Sequence, residues 1–536
     1  MKIRLPILLL GVIGLSLVSH AQNAAIRVDP ARMPAVGQVD ERFQSYNVEM
    51  IEITGGRFWA PYKQGQSAPA DTAQPTPGGM PASLYRYRSP IDLTNPKLRK
   101  LAAALGPAYI RVSGTWANST FFQDSDDPAP ANSGAPTDSS ASVGLKPPAG
   151  FNGVLTRAQW RGVIDFAHAV DAKLVTSFAV SQGVRDANGV WTPIEAEKVL
   201  NYTRSVGGSI AAAEFFNEPT FATLGGAPKG YDATAYGRDF RAFHAYIKKA
   251  APEIEILGPG SIGEAHSFGS MPGIQLLHSE DMLQQQGPNL LDAFSYHFYG
   301  GLSQRCARMG TAGTTPEAAL TQDWLARTNR DEAFYAALRD RFAPGKPIWL
   351  TETGETACGG DPWASSFVDS FRYLYQLGSL ARKGVQVVMH NTLNASDYAL
   401  IDESTLTPRP NYWAALLWRK LMGAKVLDPG PSSQPDVYVF AHCLRGKQRG
   451  VAILAINADK SNAHDLTLPA KSTRYTLSSA DLFSSKVQLN GAELALASDG
   501  NLPAIDGVPQ SAGQVSLAPT SITFLAIPGA NDAACR

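Results

Sequence analysis

The chain has no excess of either charge: 47 basic residues balance 47 acidic ones. It therefore lacks the electrostatic footprint for a nucleic acid or a densely sulfated polymer, and neither is expected as a partner. Cysteine is scarce, with four in 536 residues, and no metal-ligand spacing occurs among them, so no metal is expected. Beyond the N-terminus no apolar run is long enough to span a membrane, and no internal repeat recurs at the scale of roughly 20 to 50 residues. What remains is an ordinary globular composition, 44% hydrophobic, with 37 Pro and 48 Gly that suit many long loops. At this length one average core is too small, and a barrel of about 250 residues or more plus a smaller domain is the natural partition.

The N-terminus carries Lys2 and Arg4, the apolar run Leu5 to Val18, and then Ser19-His-Ala21, with small residues where a signal peptidase inspects the chain. Residues 1–21 read as a removed secretion signal. The alternative, a retained anchor, is disfavoured because the run is shorter than the roughly 20 residues needed to span. The mature protein is then expected in the periplasm or outside the cell, without membrane attachment, as a monomer and without a cofactor. In an oxidising compartment Cys306, Cys358, Cys443 and Cys535 can form two bridges, with three connectivities open.

Eight runs of strand character alternate with stretches of helical period. They are Phe43 to Ile51, Ala108 to Gly114, Leu174 to Ser181, Ser209 to Glu218, Glu253 to Gly258, Leu291 to Tyr299, Pro347 to Thr353 and Val385 to Asn391. Helices are predicted over Asn95 to Leu105, Thr156 to Val170, Ile194 to Ser205, Thr234 to Ala250, Glu317 to Phe342 and Ser365 to Lys383, the first opened by an Asn-Pro cap. Such alternation predicts an α/β fold, a (β/α)8 TIM barrel, over residues 39–421. After about residue 421 only short strands follow, among them Val437 to His442, Val451 to Ile456 and Ser521 to Ile527. Turns such as Asn490-Gly491 separate them, which predicts a C-terminal β-sandwich domain over 422–536, with residues 22–38 adding a strand. Gln123 to Gly150, rich in Asp, Ser, Pro and Ala, is a long loop after the second strand, read equally as a lid over the barrel mouth or as plain surface.

Two glutamates end predicted barrel strands: Glu218, in Ala211-Ala-Ala-Glu-Phe-Phe-Asn-Glu-Pro219, and Glu352, in Ile348-Trp-Leu-Thr-Glu-Thr353. A lone Glu at a strand end is usually a surface or salt-bridged residue. Two of them on strands four and seven, at the catalytic end of a barrel, supply the carboxyl pair that glycoside hydrolysis needs. Asn217 is placed to hydrogen-bond a sugar 2-hydroxyl, and Pro219 is expected to end the strand. Glu214, four residues before Glu218, is expected to point into the barrel, where it needs a cation. Arg111 on strand two is the candidate, either in a structural pair with Glu214 or beside Glu352.

The Asn-Glu-Pro motif with a second Glu on strand seven is similar to clan A of the glycoside hydrolases, which are retaining. The likeness narrows to the heparanase-like family, glycoside hydrolase family 79. It runs through Asn95 to Ala102, Pro107 to Thr115, Glu214 to Pro219, Tyr296-His-Phe-Tyr299, Trp349 to Thr353, Val387 to Met389 and Asn411 to Leu427. It covers most of the barrel and reaches the sandwich at His442-Cys443 and Ala533 to Cys535.

The resemblance implies Glu218 as acid/base and Glu352 as nucleophile, with Tyr299 beside the nucleophile and Arg111 and His297 in support. It implies that Gly359, Gly360 and Tyr398 hold a uronic acid carboxylate, and that Glu49, Thr115, Asn217 and Asn391 contact the sugar. It also pairs Cys443 with Cys535. Cys358 stands where another Gly is common, and a bridge to Cys306 would join the loops after strands six and seven; two free thiols are the alternative. Heparan-cleaving members carry cations after the Asn-Glu-Pro motif and after strand five, whereas Thr220 to Gly226 and Gly258 to Glu264 hold none. The expected activity is thus an exo-acting β-glucuronidase on a carbohydrate or other glucuronide. An endo-β-glucuronidase acting within glycosaminoglycans is the alternative, and an inactive carbohydrate-binding protein ranks third.

Overall fold

The computed structural model describes residues 26–62, 82–127, 146–265, 268, 276–307 and 313–536. The expected secretion signal and most of the loop Gln123 to Gly150 lie outside these residues. Eight parallel strands close a barrel: β1 (Gln44–Glu49), β2 (Ala108–Ser113), β3 (Ala172–Ser177), β4 (Ile210–Glu214), β5 (Glu255–Ser261), β6 (Ala293–Tyr299), β7 (Ile348–Gly354) and β8 (Val385–His390). Each follows its neighbour in sequence and β8 pairs with β1, for example Met389 opposite Ser45. Both faces of these strands are covered, which is why they read as near-continuous apolar runs.

The connecting helices cover the outside. They are α1 (Pro96–Ala104), α2 (Arg157–Ala169), α3 (Ile194–Ser205), α4 (Ala233–Ala250), α5 (Ser279–Gln286), α6 (Gln322–Phe342), α7 (Phe367–Arg382) and α8 (Pro410–Leu421). Asn95 caps α1 by accepting from Lys97 N and Leu98 N at 2.9 and 3.3 Å, with Pro96 in the first turn. Helices α5 and α8 were not among the predicted ones. The first is short, and the second runs straight on into the strand Met422–Leu427.

Inside the barrel Tyr109, Val175, Ala212, Leu257, Ala293, Trp349, Val387 and Met389 form a separate apolar plug. One or two inward positions further along their strands come the polar residues of the site, Arg111, Glu214, Ser295 and Thr351. The plug is thus the floor on which the site stands. Register carries one decisive irregularity. Tyr296 pairs with Leu350 but His297 with Glu352, so β7 bulges at Thr351 and the inward face passes from Trp349 and Thr351 to Glu352.

The C-terminal region is sheet-rich. Its larger sheet contains the antiparallel strands Val437–Leu444, Val451–Asn457, Ser521–Ile527 and Ser472–Ser478, and Ala35–Gln38 joins its edge beside Met422–Leu427. A three-stranded sheet of Ile26–Arg27, His464–Leu468 and Gly513–Leu517 faces it. Ile453, Ala455, Leu466, Val515 and Leu525 fill the space between the sheets. Leu454, Ile456 and Phe524, one residue out of phase, join the barrel's outer core instead.

Candidate active site

Arg111 organises the barrel mouth. It is 1% exposed and all of its outer nitrogens are used. Nε donates to Glu214 Oε2 at 2.9 Å, Nη1 to Glu352 Oε2 at 2.8 Å, and Nη2 to Asn217 Oδ1 at 2.7 Å. The two pairings that the sequence leaves as alternatives therefore coexist. Glu214 also accepts from Ser295 Oγ and Thr351 Oγ1 at 2.8 and 2.7 Å. Burial raises its pKa, but Arg111 and these partners more than offset this, and the carboxyl is held below its usual range.

Glu352 is held from two sides, by Arg111 on Oε2 and by the Tyr299 hydroxyl donating to Oε1 at 2.8 Å. Glu218 is differently placed. The expected strand four stops at Glu214; the chain then bends, and Glu218 adopts φ 52°, ψ 60°, left-handed for a residue with a Cβ. Pro219 opens a 3-10 turn and does not end the strand. Such a backbone costs on the order of 1 kcal/mol or more and persists only where its surroundings impose it. Asn118 imposes it: its side chain accepts from Asn217 N and donates to Asn217 O, both at 3.0 Å, and donates to Gly225 O at 2.9 Å. Nothing in the sequence marks Asn118 for this role, because it acts on backbone 99 residues away.

His297 lies between the two carboxyls. Its Nε2 is 3.2 Å from Arg111 Nη2, and its Nδ1 is 3.1 Å from Glu218 Oε1 and 3.8 Å from Glu352 Oε2. Arginine can only donate, so Nε2 accepts and the ring proton sits on Nδ1, facing Glu218. Burial pushes the imidazole down to about 4, so it is neutral near pH 7. Burial pushes Glu218 the other way, to about 7, against the pull of Arg111. Oxygens of Glu218 and Glu352 lie within 4.8 Å of each other. That closeness suits double displacement, with its carboxyl separation of roughly 5 to 5.5 Å, better than inversion, which needs roughly 6.5 Å or more to seat a water.

The remaining candidates ring this pair. Asn391 Nδ2 lies within 3.0 Å of Glu49 Oε1, 2.9 Å of Tyr299 OH and 3.1 Å of Tyr398 OH. Two buried acceptors, Glu49 Oε2 and Asn391 Oδ1, have no partner among the described residues. Buried polar atoms are costly to leave unpaired, and sugar hydroxyls, which both donate and accept, would fit them. Burial and the charge on Glu352 raise Glu49 well above the usual carboxyl range. Gly114, at φ 91°, lets Glu49 approach, since a Cβ there would overlap its carboxylate. Thr115, half-buried, opens the turn after β2.

Cys306 and Cys358 are bridged, as are Cys443 and Cys535. The first bridge ties the loop after β6 to the loop carrying Gly359 and Gly360. The two glycines differ. Gly360 N donates to Thr356 O at 3.1 Å, so its amide is already used. Gly359 N has no acceptor among the described residues, while Ser303 Oγ holds the carbonyl of the same peptide, Cys358 O, at 3.3 Å. A trans peptide then turns the Gly359 N–H away from Ser303.

Beyond β1 lies a two-stranded antiparallel hairpin, Gly56–Trp59 with Tyr85–Arg88. Trp59 stacks on Tyr85 at 4.7 Å, and Trp116 lies against Phe58 at 5.1 Å. Arg88 pins the hairpin to Glu52 and Glu403 at 3.1 and 3.2 Å. Trp59 reaches the loop that carries Gly359, where a methyl on Gly359 would sit 2.7 Å from its Cβ.

Residues 87–378 match the family model described as glycosyl hydrolase family 79, N-terminal domain. Heparanase-like protein 1 of Arabidopsis thaliana is 25% identical over 496 residues, covering 83% of this chain and 86% of the relative. Baicalin-beta-D-glucuronidase of Scutellaria baicalensis is 33% identical over 190 residues, 34% of this chain and 36% of the relative. A solved structure, a 4-O-alpha-L-rhamnosyl-beta-D-glucuronidase from Fusarium oxysporum 12S, shares the fold with a TM-score of 0.60 at 13% identity, covering 94% of this chain and 100% of that one. With more than half of its length inside the family model, and the carboxyl pair inside the matched region, this chain belongs to glycosyl hydrolase family 79 and is a glycoside hydrolase.

Proposed function

We propose that the enzyme is a retaining, exo-acting β-glucuronidase with Glu352 as nucleophile and Glu218 as acid/base. The observation that carries the reading is the asymmetry of the two carboxyls. Glu352 faces Arg111, which supplies the counter-charge that an anionic nucleophile needs, and the Tyr299 hydroxyl, which donates to it. Glu218, raised to about 7, is protonated at the start of the cycle. In the first step Glu352 attacks the anomeric carbon, the glycosidic bond breaks, and the Glu218 proton passes to the leaving oxygen. In the second, Glu218 takes a proton from water, the water oxygen bonds to the anomeric carbon, and Glu352 leaves. Asn217, its Oδ1 held by Arg111, offers Nδ2 to the sugar 2-hydroxyl.

Glucuronate as the sugar is supported by the Gly359 N–H, without an acceptor among the described residues, and by the Tyr398 hydroxyl, uncharged donors that can hold a carboxylate without crowding Glu352 with a second strong charge. Exo action is supported by the hairpin. The acid sits beyond β4, and a cluster of Trp59, Tyr85, Phe58 and Trp116 beyond β1 and β2 is a candidate to limit the length of chain the site accepts. Relatives named heparanase keep the endo reading in view, but no cation stands in Thr220 to Gly226 or Gly258 to Glu264. Export belongs to the same proposal: two closed disulfides suit an oxidising compartment, and no described helix is long and apolar enough to cross a membrane.

The direct test is release of nitrophenol from nitrophenyl β-glucuronide and of single glucuronic acids from the ends of oligosaccharides. Rapid shortening of a polymer with internal glucuronate would mark endo action instead. The pH profile adds a second expectation. Glu218 loses its proton as pH rises through about 7, so kcat/KM falls on the alkaline side with a midpoint near that value. A rate flat from pH 6 to about 9 would remove Glu218 as the acid.

A further inference from the structure

An electrostatic imbalance at the site points to a residue outside it. Glu214 and Glu352 face one cation, Arg111, so the pocket floor carries an excess negative charge before any anionic sugar enters. Gly359 N–H and the Tyr398 hydroxyl offset only part of the repulsion that a substrate carboxylate would meet. The guanidinium of Arg305 is linked to both through Asp397. Arg305 precedes Cys306, whose bridge to Cys358 ends next to Gly359. Its Nη2 donates to Asp397 Oδ2 at 2.7 Å, and Asp397 precedes Tyr398 and donates its own N–H to Gly359 O at 3.1 Å.

The guanidinium is buried, 6% exposed, and lies 4.0 Å from the centre of the Tyr62 ring. Its Nη1 has no hydrogen-bond partner among the described residues. A buried cation with an unused arm is expensive unless something anionic balances it, and Asp397 balances only one arm. Burial, Glu49 and Glu352 raise the Tyr398 phenol well above its usual range, and the hydrogen bond with Tyr299 and the Arg305 charge oppose that rise.

Building on the glucuronidase reading, we propose that Arg305 is a positioning residue for carboxylate selectivity: linked to Gly359 and Tyr398 through Asp397, it supplies the positive potential that lets an uncharged cradle hold an anion beside Glu352. It touches no reacting atom. Its effect therefore falls on KM for a uronide and spares the matching neutral sugar.

The experiment uses the full enzyme with nitrophenyl β-glucuronide and nitrophenyl β-glucoside, comparing wild type, Arg305→Gln, Arg305→Lys and Asp397→Asn. A wild type without preference for the glucuronide sinks the glucuronidase reading, whatever the variants do. Given that preference, Arg305→Gln lowers the glucuronide-to-glucoside ratio of kcat/KM by about tenfold, mostly through KM, equivalent to about 1.4 kcal/mol. Arg305→Lys keeps most of the ratio because it keeps the charge. Parallel losses on both substrates, or an unchanged ratio, mean a structural ion pair and overturn the proposal. Should Arg305→Gln fail to fold, Asp397→Asn decides. It removes the counter-anion and leaves the cation, so the ratio holds or rises; a falling ratio overturns the proposal.

Discussion

Glu352→Gln is expected to lower kcat/KM on an aryl β-glucuronide by on the order of 10⁴-fold or more, with little change in thermal stability. The two halves of that expectation have separate causes. The amide keeps the shape: its oxygen can accept from Arg111 and its NH2 can donate to the Tyr299 oxygen, and Arg111 remains paired with Glu214, so no buried charge is orphaned. What disappears is the oxygen nucleophile. Steady-state rates with a melting curve check both halves, and a variant within tenfold of wild type would rule out covalent catalysis by Glu352. Azide separates the roles further. With Glu352→Gly it should attack from the emptied face and give the α-glycosyl azide, whereas with Glu218→Gly it should intercept the glycosyl-enzyme and give the β-anomer. Exchange of those products would exchange the assignments.

Arg111→Met should be the most destabilising single change at the site, by about 3 to 5 kcal/mol, because it leaves buried carboxylates without their cation. Glu214 is 0% exposed and has nowhere to find water. Native stability is only about 5 to 15 kcal/mol, so the loss is a large part of the whole and shows as a lower midpoint in denaturant. Activity should vanish with it, since Arg111 orients Glu352 and Asn217 and fixes the His297 tautomer. The double variant Arg111→Met/Glu214→Gln tells the two effects apart. The neutral amide that replaces the Glu214 carboxylate can still accept from Ser295 and Thr351, so stability should largely return while activity does not. Recovery of both would mean that Arg111 serves the fold alone.

Much of this site was legible before any coordinates. Strand candidates overlapped all eight barrel strands, because a strand covered on both faces is written as an apolar run between turn signals. Glu218 and Glu352 stood out because they end two of those runs, and Arg111 because a buried Glu214 demands a cation. Other features were hidden for identifiable reasons. The bulge at Thr351, which turns Glu352 inward, is a matter of pairing with β6 and leaves no trace in the residues of β7. The left-handed backbone of Glu218 depends on Asn118, far away in the chain. The loss of Gly360 as a free donor follows from one turn hydrogen bond, which the motif does not encode. Arg305 looked like any other loop cation.

The residue pattern alone determined the alternation of elements, the barrel and the sheet-rich end, and it singled out the candidate carboxyl pair, since periodicity and turn chemistry are local and each run carries its own signal. Tertiary structure alone decided how these groups meet. The spacing of Glu218 and Glu352 within 4.8 Å and the sharing of one guanidinium between Glu214 and Glu352 depend on barrel closure and register. Those are set by contacts between strands far apart in sequence, and no window along the chain contains them.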